Sequence, residues 1–213
     1  SIGLVLAGKA VAAVFRLLKR RFAQRRCGAA ASGLAAVSLA AVGIAVGAVV
    51  VVAIGIVVQR SADEHSARTP AGVSQPSGDY RSVGPGSALS WDLAGYEGRS
   101  ILAGGPSASE IAAVTGRPAL EPIRIYAGVD EPGGWGEHAA SVVSELDRLG
   151  AADRDVVVVA ATTGTGWLDP EAIDALEYLY GGSTALATMQ YSKAESWHSF
   201  VFHPEAYRDA TSA

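Results

Sequence analysis

A short glycine-threonine loop follows a run of four valines and holds the residues of this chain that are best placed to do chemistry. In α/β proteins, loops at the carboxyl ends of buried parallel strands usually line the active site. The same composition also suits a tight turn, so both interpretations stay open at this point. The candidate site residues are Thr163, Gly164, Thr165, Gly166, Trp167 and Asp169.

The glycines of this loop do not match a nucleotide-binding motif. A dinucleotide fingerprint needs three glycines as Gly-x-Gly-x-x-Gly, and Asp169 stands where the third would be. The sequence also has no Gly-Lys-Ser/Thr phosphate loop and no Gly-x-Ser-x-Gly nucleophile elbow. His198 and His203 are five residues apart and have no third ligand nearby. We therefore expect no cofactor and no metal.

The elements around the loop alternate between strands and helices. Apolar runs predict strands at "RSILAGG", "PIRIYAG", "DVVVVAAT" and "TALATMQY", and the valine run predicts burial on both faces. Ser107 and Glu110 have the spacing of a capping box, and Asp169 before Pro170 is typical of a helix start. The pattern predicts an α/β fold with a partial, doubly wound parallel sheet. Antiparallel strands, or a valine strand at an exposed margin, would overturn the functional interpretation that is built on this sheet.

The charges are unevenly distributed along the chain. Residues 1–28 carry seven Lys/Arg and no acid, whereas residues 60–213 carry ten Lys/Arg and all twenty-one Asp/Glu. Between them, residues 29–58 are apolar or small throughout, which is long enough to cross a bilayer. A cleaved signal peptide has a similar order but a much shorter apolar run, so an anchor in the lipid bilayer is favoured. Since the part after the span is acidic, we expect no nucleic-acid partner.

These features divide the chain into three parts. Residues 1–59 form a membrane region, with a partial helix at 1–18, a basic loop at 19–28 and a transmembrane helix at 29–58. Residues 60–97 are rich in Ser, Gly and Pro, which predicts a linker unable to bury a core. Residues 98–213 form the α/β domain. The basic loop indicates the cytoplasmic side of the membrane, so we expect a multi-pass cell-membrane protein with an extracytoplasmic C-terminal domain. The alternative is that the basic residues simply bind anionic lipid headgroups.

Several segments from Ile101 onward resemble a known family. "TGTGW-DP", "LEY-GG", "QYS" and "SWHSF" occur in an order that is similar to the actinobacterial membrane-anchored α/β-hydrolase family, over about 110 residues. This chain departs from the family in "QYSKAESW", because family members usually have a more apolar stretch between QYS and SW. That departure puts Lys193 and Glu195 in doubt as functional groups.

The resemblance implies a serine esterase or acyltransferase that acts on a lipid-like ester. In the family the nucleophilic serine follows the segment that matches Ser196 to Phe200, so we expect the present chain to be a fragment that lacks it and is inactive alone. The loop of Thr163 to Gly166 would then line the acyl pocket and donate an amide to the oxyanion, with Trp167 as a wall. The alternative is a non-catalytic, membrane-anchored α/β module that binds a lipid or a protein partner.

Overall fold

The computed structural model describes Arg16 and residues 29–212. The predicted partial helix at 1–18, apart from Arg16, and the predicted basic loop at 19–28 lie outside the described residues. The chain divides into two compact units, Ser1–Val57 and Val58–Ala213.

The predicted transmembrane segment 29–58 lies within one long helix, α1 (Ala29–Ser66). The boundary between the two units, at Val57 and Val58, falls within this helix. Its segment Ala40–Ser66 is long and apolar enough to cross a membrane by length and composition, with a mean hydropathy of 3.0 over its most apolar 18 residues. Side chains such as Ile44 and Val49 are exposed. A bilayer would remove this apolar surface from water.

Three parallel strands form the sheet of the second unit. They are β1 (Ile123–Ala127), β2 (Val156–Ala161) and β3 (Thr184–Met189), and their spatial order is β1-β3-β2. Three of the four predicted strands are therefore confirmed. Because β3 lies between the other two, the chain crosses over twice, as it must in parallel sheets.

Two helices of the second unit begin where capping residues in the sequence place them. Ser107 and Glu110 form the predicted capping box at the start of α3 (Ala108–Thr115), and Gly116 ends that helix in the left-handed conformation. Asp169 caps α5 (Pro170–Leu179) directly before Pro170, also as predicted. The helices are α2 (Gly95–Ala103), α3 (Ala108–Thr115), α4 (Trp135–Arg148), α5 (Pro170–Leu179), α6 (Ser196–Phe202) and α7 (Pro204–Ser212), with a 3-10 turn at Ala151–Asp153.

Helices cover both faces of the sheet. On one face, α4 packs through Val142 against Ile123, Ile125 and Ala187. On the other face, α2 contributes Leu102 to a second core cluster, and residues of β2 and α5 pack against it. Two helical layers around a small parallel sheet confirm the predicted α/β fold.

The first predicted strand, "RSILAGG", is instead the end of helix α2. The helix begins at Gly95, before the segment that we interpreted as a strand. Its buried residues Gly98, Ile101 and Leu102 follow the three- and four-residue spacing of a helix. The strand prediction was wrong because that spacing is evident only when the residues upstream of Arg99 are included.

The valine strand β2 is half-buried on one face and exposed on the other. Val157 is 47% exposed and Val159 is 82% exposed, whereas Val158 and Ala160 pack against the core. Within the described residues β2 pairs only with β3, and α4 packs on β1 and β3. The prediction of burial on both faces was therefore wrong: β2 is an edge strand, and no described element covers its outer face.

Part of the predicted linker packs onto the sheet. Ser82 donates its amide to the carbonyl of Arg124 (3.1 Å), and the Arg124 amide bonds the carbonyl of Tyr80 (3.1 Å), so this segment runs parallel to β1. Val83 and Leu89 are buried in the two core clusters. The expectation that residues 60–97 bury no core is corrected, since their few apolar side chains are placed by contacts distant in sequence. The domain boundaries themselves stay a prediction.

Candidate functional site

The predicted site loop leaves the carboxyl end of β2, where ligands bind in many α/β folds. The loop is a tight turn closed by its own hydrogen bonds. The amide of Thr163 donates to the carbonyl of Trp167 (3.1 Å), and the amide of Gly166 donates to the carbonyl of Thr163 (2.9 Å). The Trp167 amide donates to Thr163 Oγ1 (3.2 Å). Most of the loop's amides are therefore already occupied.

Gly164 packs against the segment that precedes α6. Its amide donates to Ser196 Oγ (2.9 Å). A Cβ atom at this position would overlap the Ala194 carbonyl and would lie 2.6 Å from the Ser196 amide nitrogen. Only glycine allows this close approach between the loops that follow β2 and β3.

Gly166 is required both for its backbone conformation and for space. Its φ of +90° is one that side chains rarely adopt, and a Cβ would overlap the hydroxyl of Tyr126. That hydroxyl donates to the Gly166 carbonyl (3.1 Å). Burial raises the pKa of Tyr126, with a smaller contribution from Glu97, so the hydroxyl stays a donor at all physiological pH values.

One amide of the loop has no partner. Among the described residues, the Thr165 amide donates no hydrogen bond, in contrast to those of its neighbours. The Thr165 carbonyl accepts from Nε2 of Gln190 (2.8 Å), and its hydroxyl lies 3.1 Å from that of Thr163. Among the backbone amides of the loop, that of Thr165 is therefore the single available donor.

Trp167 and Asp169 have different surroundings from the loop backbone. The Trp167 side chain is 46% exposed and so can form part of a surface wall. Asp169 Oδ1 accepts from the Glu171 amide (3.0 Å) and caps α5. The cap accounts for the Asp169 carboxylate without a role in binding.

Lys193 and Glu195 make structural contacts. Lys193 Nζ lies 2.7 Å from Asp130 Oδ2 and 3.8 Å from Asp63 Oδ1, so it lies between the loop after β1 and the end of α1. Glu195 Oε2 accepts from the indole of Trp197 (2.8 Å) at the start of α6. Both contacts explain charged residues where the family resemblance implies an apolar stretch.

An apolar groove lies beside the loop. Ser196 lines this groove and accepts a hydrogen bond from the Gly164 amide of the loop. Its volume is about 410 Å³, which is within the range of small-molecule sites. Ser196 Oγ also accepts from the Tyr191 hydroxyl (3.1 Å), so the polar end of the groove adjoins Gly164. Sequence reasoning missed this groove, because only the fold brings α6 next to the loop after β2. The groove is lined by Tyr191, Ser196, Trp197, Ser199, Phe200, Val201 and Pro204.

The described residues contain no group of three or more His, Cys, Asp or Glu side chains that could hold a metal ion. His198 is buried and packs edge-to-face on Trp197, with the ring of Phe202 4.8 Å away. His203 is exposed and lies 3.7 Å from Glu205.

Comparison with known proteins identifies the family. A model described as the alpha/beta-hydrolase family matches residues 123–213, and a model described as the N-terminus of the alpha/beta-hydrolase family matches residues 1–106. Together they cover all of the chain except residues 107–122. Searches among curated proteins and among solved structures found no match. The chain therefore belongs to the alpha/beta-hydrolase family.

Proposed function

We propose that this chain provides the oxyanion-binding part of a membrane-anchored serine esterase or acyltransferase that acts on lipid-like esters. The observation that carries the proposal is the unpartnered Thr165 amide at the carboxyl end of β2. In α/β-hydrolases an amide from a strand-to-helix loop helps to bind the oxyanion that forms when a serine attacks an ester. A fixed amide at such a position stabilises developing negative charge in the transition state.

The groove beside the loop supports a substrate with an acyl chain. Five of its seven lining residues are aromatic or aliphatic, and its polar end is Ser196, which bonds the Gly164 amide. An ester group near the loop would leave its chain along Trp197 and Phe200. Removal of that chain from water would contribute about 0.8 kcal/mol for each buried methylene.

Helix α1 supports the choice of a lipid bilayer as partner. Its apolar segment has the length and composition of a span, and anchored enzymes meet esters that partition into membranes. The multi-pass topology and the extracytoplasmic position of the C-terminal domain belong to this proposal. Both rest on the charge distribution of the sequence rather than on the described residues.

The test uses the complete open reading frame that encodes the chain, expressed in membranes. We expect its product to react with a fluorophosphonate probe and to hydrolyse p-nitrophenyl esters or to transfer their acyl group. Phe200→Asp should raise the KM for dodecanoate esters about tenfold and leave butyrate esters within twofold, because only the longer chain reaches Phe200. Leu179→Asp is the control, since Leu179 is also an exposed apolar residue (66%, against 77% for Phe200) but lies on α5.

The second candidate function is a non-catalytic membrane-anchored module that binds a lipid or a protein. It is favoured by one observation, the absence of a Gly-x-Ser-x-Gly motif from the 213 residues. If the complete gene product neither reacts with the fluorophosphonate nor turns over any ester, the catalytic proposal is rejected in favour of this one.

A further inference from the structure

A single buried side chain, that of Gln190, connects the loops that follow all three strands. Gln190 directly follows β3 and is 2% exposed. Its Nε2 donates to the carbonyls of Thr165 (2.8 Å) and Ser192 (2.7 Å), and its Oε1 accepts a long hydrogen bond from the Val129 amide (3.5 Å). These partners lie after β2, β3 and β1, respectively.

No other type of side chain of this size could make the same set of bonds. A primary amide has two donors and one accepting oxygen, and Gln190 uses all of them. A glutamate would present only acceptors to two carbonyls, and a methionine would leave those carbonyls unsatisfied in a buried site. The amide of Gln190 is therefore chemically matched to its position.

Two bonds to neighbouring carbonyls fix the orientation of the loop. Gln190 holds the Thr165 carbonyl, and Tyr126 holds that of Gly166. Gln190 Cγ also lies 3.0 Å from the place of a Cβ on Gly166, so the loop has little room to shift. The Thr165 amide belongs to the peptide unit directly before the anchored Thr165 carbonyl, so a shift of that carbonyl would also move this amide.

We propose that Gln190 is a positioning residue, which fixes the loop of residues 163–167 so that the Thr165 amide is aimed at the oxyanion of the substrate. This inference rests on the proposed function for its catalytic consequence. Its structural part, the control of the loop by Gln190, can be tested separately.

The first experiment measures amide hydrogen exchange in the chain as it is. In the parent protein we expect fast exchange at Thr165 and slow exchange at Gly164 and Gly166, as their partners indicate. Gln190→Met should accelerate exchange at Gly164 and Gly166 at least tenfold and leave the amides of β1 unchanged. The control is Thr184→Val at the other end of β3, where a buried hydroxyl has no partner, and it should change neither region.

The second experiment measures ester turnover by the complete gene product. Because substrate binding in the groove does not involve Gln190, Gln190→Met should lower kcat about tenfold to 100-fold and leave KM within twofold. A variant that was only less stable would contain less folded enzyme. Its kcat, calculated per folded enzyme, would then equal that of the parent. Thr184→Val should leave kcat unchanged.

The outcomes separate the two proposals. Unchanged loop exchange in Gln190→Met would overturn the inference, and so would accelerated exchange with an unchanged kcat. If Gln190→Met does not fold, slow exchange at Thr165 or fast exchange at Gly164 and Gly166 in the parent would overturn it. If the complete gene product without the substitution shows no ester turnover, the proposed function fails, whereas loop exchange still decides whether Gln190 controls the loop.

Discussion

The two glycines of the site loop are required by the fold, and this changes how their role can be tested. Gly164→Ala would push a methyl group into the Ala194 carbonyl, and Gly166→Ala would combine an unfavourable φ with an overlap on Tyr126. We expect each variant to lower the free energy of unfolding by about 2 kcal/mol or more. Urea denaturation would measure this loss.

The matched control for these substitutions is Gly136→Ala in helix α4. Its Cβ would meet no atom within 4 Å, and alanine favours helix. We expect a gain of about 0.5 to 1 kcal/mol. If Gly164→Ala and Gly166→Ala lowered the free energy of unfolding no more than Gly136→Ala does, the loop would not be tightly packed against Tyr126 and Ala194.

Glu131 gives a pH dependence with a definite sign. Burial raises its pKa above the ordinary 4.5, against the opposing effects of the Ser90 amide and His138, and Asp130 adds to the increase. The folded state therefore binds more protons than the unfolded state, so stability decreases as pH rises from 4.5 through the raised pKa. Above that pKa the full cost of the buried charge is present.

Glu131→Gln should remove this dependence. The glutamine oxygen can still accept from the Ser90 amide, which lies 2.9 Å from Oε1. We expect the variant to be more stable than the parent at pH 8 and to lose that advantage below pH 4.5. Urea denaturation between pH 4 and 8 would measure the difference, and a difference that is independent of pH would contradict the assignment.

At the scale of the elements, a buried ion pair joins α5 to β1. Nε and Nη2 of Arg124 donate to the two oxygens of Glu177 (2.8 and 2.7 Å), and both side chains are almost fully buried. Glu177→Ala leaves Arg124 with Asp174 as its remaining carboxylate and should cost about 3 to 5 kcal/mol. The double variant Arg124→Met/Glu177→Leu should recover most of that loss, because it removes both charges.

Thermal or urea denaturation of the three proteins would test this ion pair. Glu205→Ala is the control, because Glu205 is an exposed carboxylate near His203, and it should change stability by less than about 0.5 kcal/mol. An effect of Glu177→Ala no larger than that of the control would show that the pair does not link α5 to β1 energetically.

Elements with local signals could be predicted from the sequence, and those that depend on distant contacts could not. Ser107 and Glu110 are three residues apart and define the start of α3 by themselves. The exposure of β2 depends on where α4 packs, and the role of Gln190 depends on three loops that meet only in the fold. The glycines of the site loop could be predicted, but the partners that require them could not.

At the scale of the whole molecule, the proposed anchoring by α1 can be tested with a single charge. Val49→Arg places a guanidinium within the most apolar part of the helix, which should cost about 2.5 to 3.5 kcal/mol on insertion. We expect a larger fraction of the variant to be released from membranes by alkaline carbonate. Val143→Arg on α4 is the control, since Val143 is also exposed and lies outside α1.

Equal release of both variants would contradict an anchoring role for α1. We expected an exposed valine strand to overturn the hydrolase interpretation. That expectation was wrong, because residues 1–106 and 123–213 match two models of the alpha/beta-hydrolase family although Val157 and Val159 are exposed. The small sheet, the helices on both of its faces and the family agree on the α/β class.

The free margin of β2 also has a practical consequence. In the part of the chain that the structure describes, no strand pairs with its outer edge, so amides and carbonyls beside Val157 and Val159 stay unpaired there. A valine-rich strand without a charge also lacks the usual protection against edge-to-edge pairing. At high concentration, isolated copies of this polypeptide should therefore adhere strand to strand and form precipitates rich in intermolecular sheet.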